Sequence, residues 1–221
     1  MLSLKSLTRP ANHLIAHANI VRGFAFALAL TIAAHSAGCG GKPFNVREKP
    51  FHVKEGANIP PPAFSARAEV GAVTIQAEAV TDENLLYDTF DANLILAGLL
   101  PVGLMITNSG PGPLDLKKAR FEIRPQGARS FKAIDAKRAF KRLISYYEIS
   151  TYSKSGYKKS QEDFLSYSLD VTRPLAPGES REGMIFFPVP AEAAQITGVT
   201  LIASGLDGKQ SGSPEVELKL R

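Results

Sequence analysis

The sequence predicts an all-β body: an antiparallel β-sandwich with Greek-key connections and one inserted helix, following a disordered signal and tether. Three observations predict it. Apolar and polar residues alternate at period two in several short runs, and clusters of Gly, Pro, Asn, Asp and Ser stand between those runs. A single segment, Asp135 to Ile149, changes to a helical period. A small barrel is the second architecture that the same pattern fits.

The body is expected to span residues 64–221 and opens near Phe64. Val73, Ile75, Ala77 and Ala79 alternate with Thr74, Gln76 and Glu78, the period of a half-buried strand. Thr81-Asp82-Glu83-Asn84 reads as a turn, and residues 85–98 show no clear period. Leu100, Val102, Leu104 and Ile106 share one face of a strand that ends at Asn108-Ser109-Gly110-Pro111-Gly112-Pro113, residues suited to a reversal. Phe121 and Ile123 alternate with Arg120, Glu122 and Arg124, so the two strands read as a hairpin or as sheet neighbours.

Within Asp135 to Ile149, residues Ala136, Ala139, Phe140, Leu143, Ile144 and Tyr147 recur at helical spacing, and Asp135 suits the N-cap. Ser150 to Ser160 reads as a polar, Lys-rich loop. Phe164 to Val171 alternates as a strand, with Leu165, Tyr167, Leu169 and Val171 as its core face. Met184 to Val189 is apolar on both faces, and Pro188 marks its end or an edge. Val199 to Ala203 and Val216 to Leu220 supply two further strands across a loop containing Leu206-Asp207-Gly208-Lys209.

Ahead of this body, an uncharged apolar run from Phe24 to Ala34 follows Lys5, Arg9 and Arg22, and Ser36-Ala37-Gly38-Cys39 closes it. Charged start, apolar run and small residues make the layout of a secretory signal, and the run is too short to span a bilayer stably. Ser36-Ala37-Gly38-Cys39 resembles the lipobox of bacterial lipoproteins, with Ser36 where Leu is usual. The resemblance implies cleavage after residue 38 and acylation of Cys39, whose attached chains anchor the protein to a membrane it does not span. Residues 39–63 then form a lipidated N-terminus and a tether, stiffened by Pro60-Pro61-Pro62. Gly40 in place of Asp favours the outer membrane where the cell has two.

Composition excludes several chemistries. Of four histidines, His13, His17 and His35 lie in the signal, which leaves His52, and Cys39 is the only cysteine. A histidine-based triad would therefore have to recruit His52 from the expected tether and could not use an acylated Cys39, while histidine zinc sites lack ligands and an internal disulfide lacks a second cysteine. Asp82, Glu83, Asp88 and Asp91 lack the alternating ligands and central Gly of an EF-hand, so neither metal nor cofactor is expected.

Charge is concentrated. Residues 117–159 hold thirteen Lys and Arg against three Asp and Glu, and the region through Tyr167 holds five of the six tyrosines. A cation beside a tyrosine ring can hold an anionic partner, with the charge on phosphate or carboxylate and the ring stacked on an apolar face. Candidate partner-binding residues are Lys137, Arg138, Lys141, Arg142, Tyr152, Lys154, Tyr157, Lys158 and Lys159. Expected partners are the membrane through the anchor and an envelope protein, anionic polymer or lipid head group; nucleic acid is not expected at the envelope. The function that follows is non-enzymatic binding or structural support. The alternative is a carboxylate-based hydrolase acting on an envelope polymer, whose acids meet only in space.

The runs Leu104 to Pro113 and Leu175 to Phe187 are similar to those of immunoglobulin-like modules on bacterial surface proteins. That similarity implies an immunoglobulin-like sandwich and bears on fold, not on activity.

Overall fold

The computed structural model describes residues 49–54, 64–127, 129–190 and 198–206, together with the backbone of 216–220. All of them belong to one compact unit, Val46–Arg221. The signal, Cys39, most of the expected tether and the turn residues Asp207 to Lys209 lie outside the described residues.

Two four-stranded antiparallel sheets and three helices make up the described body. The first sheet is ordered β1 (Ala66–Val70), β2 (Val73–Ala79), β3 (Leu99–Asn108), β6 (Ser180–Pro188). The second is ordered β5 (Phe131–Lys132), β4 (Arg120–Pro125), β7 (Val199–Ser204), β8 (Val216–Leu220). Register follows the alternation: Ile75 lies opposite Ile106 and Ala77 opposite Leu104, all four fully buried. Such facing apolar pairs fix the register, because a slip of one residue would turn them to solvent. β3 and β4 occupy different sheets, which corrects the expectation that they pair. Leu114 and the 3-10 turn Leu116–Lys118 carry the chain across, with Leu114 bridged to Leu175 and Leu116 buried.

The helices depart most from expectation. α1 (Glu83–Phe90) is capped by Asp82, whose carboxylate accepts from the amides of Asn84 and Leu85; the turn expected at Thr81 to Asn84 is therefore a helix start. α2 (Ala136–Tyr146) is the expected helix, capped by Asp135 as the sequence implies, with Ala139, Phe140 and Leu143 buried. α3 (Lys154–Ser166) replaces both the Lys-rich loop and the first half of the expected strand at Phe164 to Val171. Its buried residues are Gly156, Ser160, Asp163 and Phe164, so hydrophobicity alone hides its period. The single inserted helix is thus three.

Stacked rings bolt these helices to the first sheet. Phe186 of β6 stacks on Phe164 of α3 with centroids 5.0 Å apart, and Phe164 meets Phe140 of α2 at 5.5 Å and Phe90 of α1 at 5.3 Å. Phe51 joins this cluster from outside the expected body, 2% exposed and 6.2 Å from Phe140. The strap Phe51 to Lys54 is held along its length: Ser160 Oγ donates to the Phe51 carbonyl at 2.8 Å, the His52 amide to Asp91 at 3.1 Å, and the Lys54 amide to Thr89 O at 3.0 Å. Tyr167 Oη donates to the Lys54 carbonyl. Residues 51–54, expected in the tether, therefore pack as part of the body.

Beyond α3, Tyr167 to Leu169 crosses the outer edge of β6, with Leu169 N donating to Met184 O and Met184 N to Tyr167 O. Ile134 bridges Phe186 further along the same edge and links the two sheets. Gly183 permits this close crossing, since a Cβ there would sit 2.5 Å from Leu169 N and 2.9 Å from the Ser168 carbonyl carbon. Arg181, also buried, gathers the following loop by donating to the carbonyls of Asp170, Arg173 and Pro174 and to Glu179.

Candidate functional site

The candidate cations sit on α2 and α3, and their neighbours divide them into two groups. Arg142 Nε donates to Ala97 O at 2.9 Å, holding the loop that precedes β3. Arg138 Nε pairs with the cap residue Asp135 at 3.2 Å. Lys159 Nζ lies 2.8 Å from Asp163, whose side chain is 7% exposed, and so offsets the cost of burying that carboxylate. Arg142 and Lys159 serve the fold, whereas Arg138 and Asp135 are both largely exposed, so that surface pair leaves the cation available. Lys158 pairs with Glu162 at 3.7 Å, but both side chains are largely exposed, and a surface pair of that kind leaves the cation available.

Lys137, Lys141 and Lys154 are exposed and make no hydrogen bond or ion pair with another described residue. The helices beneath them are fixed by Phe140 and Phe164, so their charges project from a rigid base.

The tyrosines are arranged differently from the sequence expectation. Tyr157 is half-buried, its ring 5.5 Å from Phe140 and its hydroxyl accepting from Gln161 at 3.3 Å. Tyr152 stacks on it at 5.3 Å with the planes 26° apart. One face of each ring is therefore occupied by the other, and Tyr157 closes the core edge.

A second tyrosine group was not legible as a site. Tyr147 Oη accepts from the Asn93 amide at 3.0 Å and donates to the Asn93 carbonyl at 3.2 Å, while Asn93 Oδ1 accepts from the amides of Ile95 and Leu96. Burial pushes the Tyr147 phenol up to about 12; hydrogen bonding to the Asn93 backbone opposes this shift, and hydrogen bonding with Tyr87 adds to it. Around this centre stand Tyr87, Leu96 and Tyr146, the three large apolar residues that are exposed among the described ones. Tyr87 and Leu96 fall in the stretch without a clear period, which is why the alternation gave no warning of the patch.

The second feature is a groove of about 620 Å³ between β4–β5 and β6, floored by Phe121, Ile134, Leu169 and Phe186. Two carboxylates line it. Glu122 lies 3.8 Å from Lys132, and Asp135 accepts from the Arg138 amide at 2.9 Å besides pairing with its guanidinium. The acidic residues weighed for calcium are likewise used separately: Asp82 caps α1, Asp88 lies 4.0 Å from Lys54, and Asp91 holds the His52 amide. Among the described residues no cluster of three His, Cys, Asp or Glu side chains is placed to hold a metal, and no helix is long and apolar enough to cross a membrane.

No protein-family model matches the chain, and no curated protein or solved structure does either.

Proposed function

We propose that the chain is a lipid-anchored protein of the bacterial cell envelope, held through an acylated Cys39, which binds an anionic partner on the outer surface of α2 and α3 without catalysing a reaction. The body is read as an immunoglobulin-like sandwich, with the two antiparallel sheets as its layers and the helices as a contact module. The observation that supports the binding reading most is the set Lys137, Lys141 and Lys154: three exposed cations with no described partner on helices whose inner faces are locked into the core. Unneutralised charge on a rigid surface attracts an oppositely charged partner at little ordering cost, through a field that salt screens. The apolar residues beneath and the Lys159–Asp163 pair keep the module in place whether or not a partner is present.

Charge reversal tests this. In the triple variant Lys137→Glu, Lys141→Glu, Lys154→Glu, capture of the native partner from solubilised membranes is abolished, and capture by the wild type weakens as salt rises. Stability changes little, because exposed sites of this kind shift it by about 0.5 kcal/mol or less each. Undiminished capture by the triple variant removes these helices from the binding surface.

A further inference from the structure

We infer that the patch of Tyr87, Leu96 and Tyr146 rests on the surface of the bilayer to which the chain is anchored, so that the body sits in one orientation on the membrane. The inference rests on the reading of Cys39 as the anchor and adds to it the face that meets the lipid.

The three residues belong together. Tyr146 lies edge-on to Tyr147 with ring centroids 5.0 Å apart, Tyr87 stands close enough to the Tyr147 phenol to influence its ionisation, and Leu96 donates its amide to the Asn93 side chain, whose backbone Tyr147 holds. They are 47%, 44% and 49% exposed for Tyr87, Leu96 and Tyr146, and no other large apolar side chain among the described residues is exposed. Exposed apolar residues clustered at one place mark a surface that something covers. Tyrosine has an apolar ring and a polar tip, which suits the boundary between acyl chains and head groups, and a leucine beside it suits the acyl side.

The course of the chain says what covers the patch. Phe51 packs against Tyr147 with ring centroids 5.9 Å apart, so the strap meets the body directly beneath the patch. From there only nine residues lie between Lys49 and Cys39, ten steps with a reach of at most about 35 Å even when fully extended. The chain coming from Cys39 thus enters the body beside the exposed tyrosines. A short tether raises the local concentration of bilayer at that face to the millimolar range or above, so even a weak patch stays seated. The other end of β3, at Asn108 to Gly112, lies the length of a ten-residue strand away, roughly 33 Å, so the tether could seat that end on the bilayer only when stretched to almost its full reach.

The chain contains no Trp, so a single introduced one reports on its own surroundings. Full-length protein carrying Tyr146→Trp, and separately Leu96→Trp in case the first variant folds poorly, is reconstituted into phosphatidylethanolamine–phosphatidylglycerol vesicles with acyl chains brominated near the head group. Gly112→Trp is the control, since a Cβ at Gly112 meets nothing within 4 Å. The expected result is that all variants float with the vesicles, that Trp at 146 or 96 loses emission to bromine and shifts to the blue, and that Trp at 112 does neither. Flotation with unquenched Trp at both 146 and 96 overturns the orientation and leaves the anchor standing, with the patch then assigned to a protein neighbour. Failure to float overturns the anchor, and the orientation falls with it.

Discussion

Replacing Tyr147 with Phe removes a single oxygen whose two bonds hold the backbone of Asn93. Asn93 is fully buried, and that hydroxyl is the hydrogen-bond partner of both its amide and its carbonyl. Its side-chain Nδ2 has no hydrogen-bond partner, which leaves the residue little to fall back on. An orphaned buried donor or acceptor costs about 1–3 kcal/mol, and the ring still fills its space, so the variant should lose roughly 2 kcal/mol near neutral pH. The same oxygen produces an alkaline signature. Burial raises the phenol from its ordinary 10.0 to about 12, so the folded protein keeps it neutral where the unfolded chain ionises it. Its contribution is complete below pH 10 and is lost as the pH rises from 10 through 12. Two pH units correspond to at most about 2.7 kcal/mol, which partial solvent exposure reduces to roughly 1–2. Urea unfolding followed by far-ultraviolet circular dichroism at pH 8 and pH 11.5 checks both effects. Wild type should weaken between the two pH values and Tyr147→Phe should weaken less. Equal stability of the two proteins at pH 8, or an alkaline loss unchanged by the substitution, refutes the reasoning.

Two other substitutions probe the least expected parts of the fold. Phe51→Ala empties a site between Phe140 and Tyr147 and should cost about 3–5 kcal/mol in thermal or urea unfolding, whereas a residue in a free tether would cost nothing. Gly183→Ala forces the Tyr167 to Leu169 crossing away from β6 and should destabilise by about 1–3 kcal/mol or more by the same measurement, with no change if that crossing is absent in solution.

How much of this fold the sequence displayed depends on how each element is buried. β2, β4 and α2 present one apolar face and β3, although buried on both sides over its first half, still alternates through Leu100, Val102, Leu104 and Ile106, so their periods could be read directly, and Asp135 stands at the cap where the pattern put it. α3 could not be read that way. Its inner face uses a buried Gly156, a Ser160 bonded to the strap and an ion-paired Asp163 beside Phe164, a combination that looks polar all round. Its C-terminal end imitated a strand because Leu165, Tyr167 and Leu169 alternate across the junction where the helix gives way to the crossing over β6. The strap did carry a signal: Phe51 and Val53 are buried while His52 and Lys54 face solvent, a period of two obscured by the surrounding prolines. The basic character of the site was legible as a charge surplus, but its division was not. Only spatial neighbours show that Arg142 and Lys159 are used by the fold while Lys137, Lys141 and Lys154 remain available.

The placement of the protein, and with it the choice of partners, depends on the fate of one cysteine. Mass analysis of the N-terminal peptide of the protein purified from its own membranes tests that most directly. The account predicts a chain that begins at Cys39 and carries a thioether-linked diacylglyceryl group together with an amide-linked acyl chain. A soluble product whose Cys39 thiol is free contradicts it.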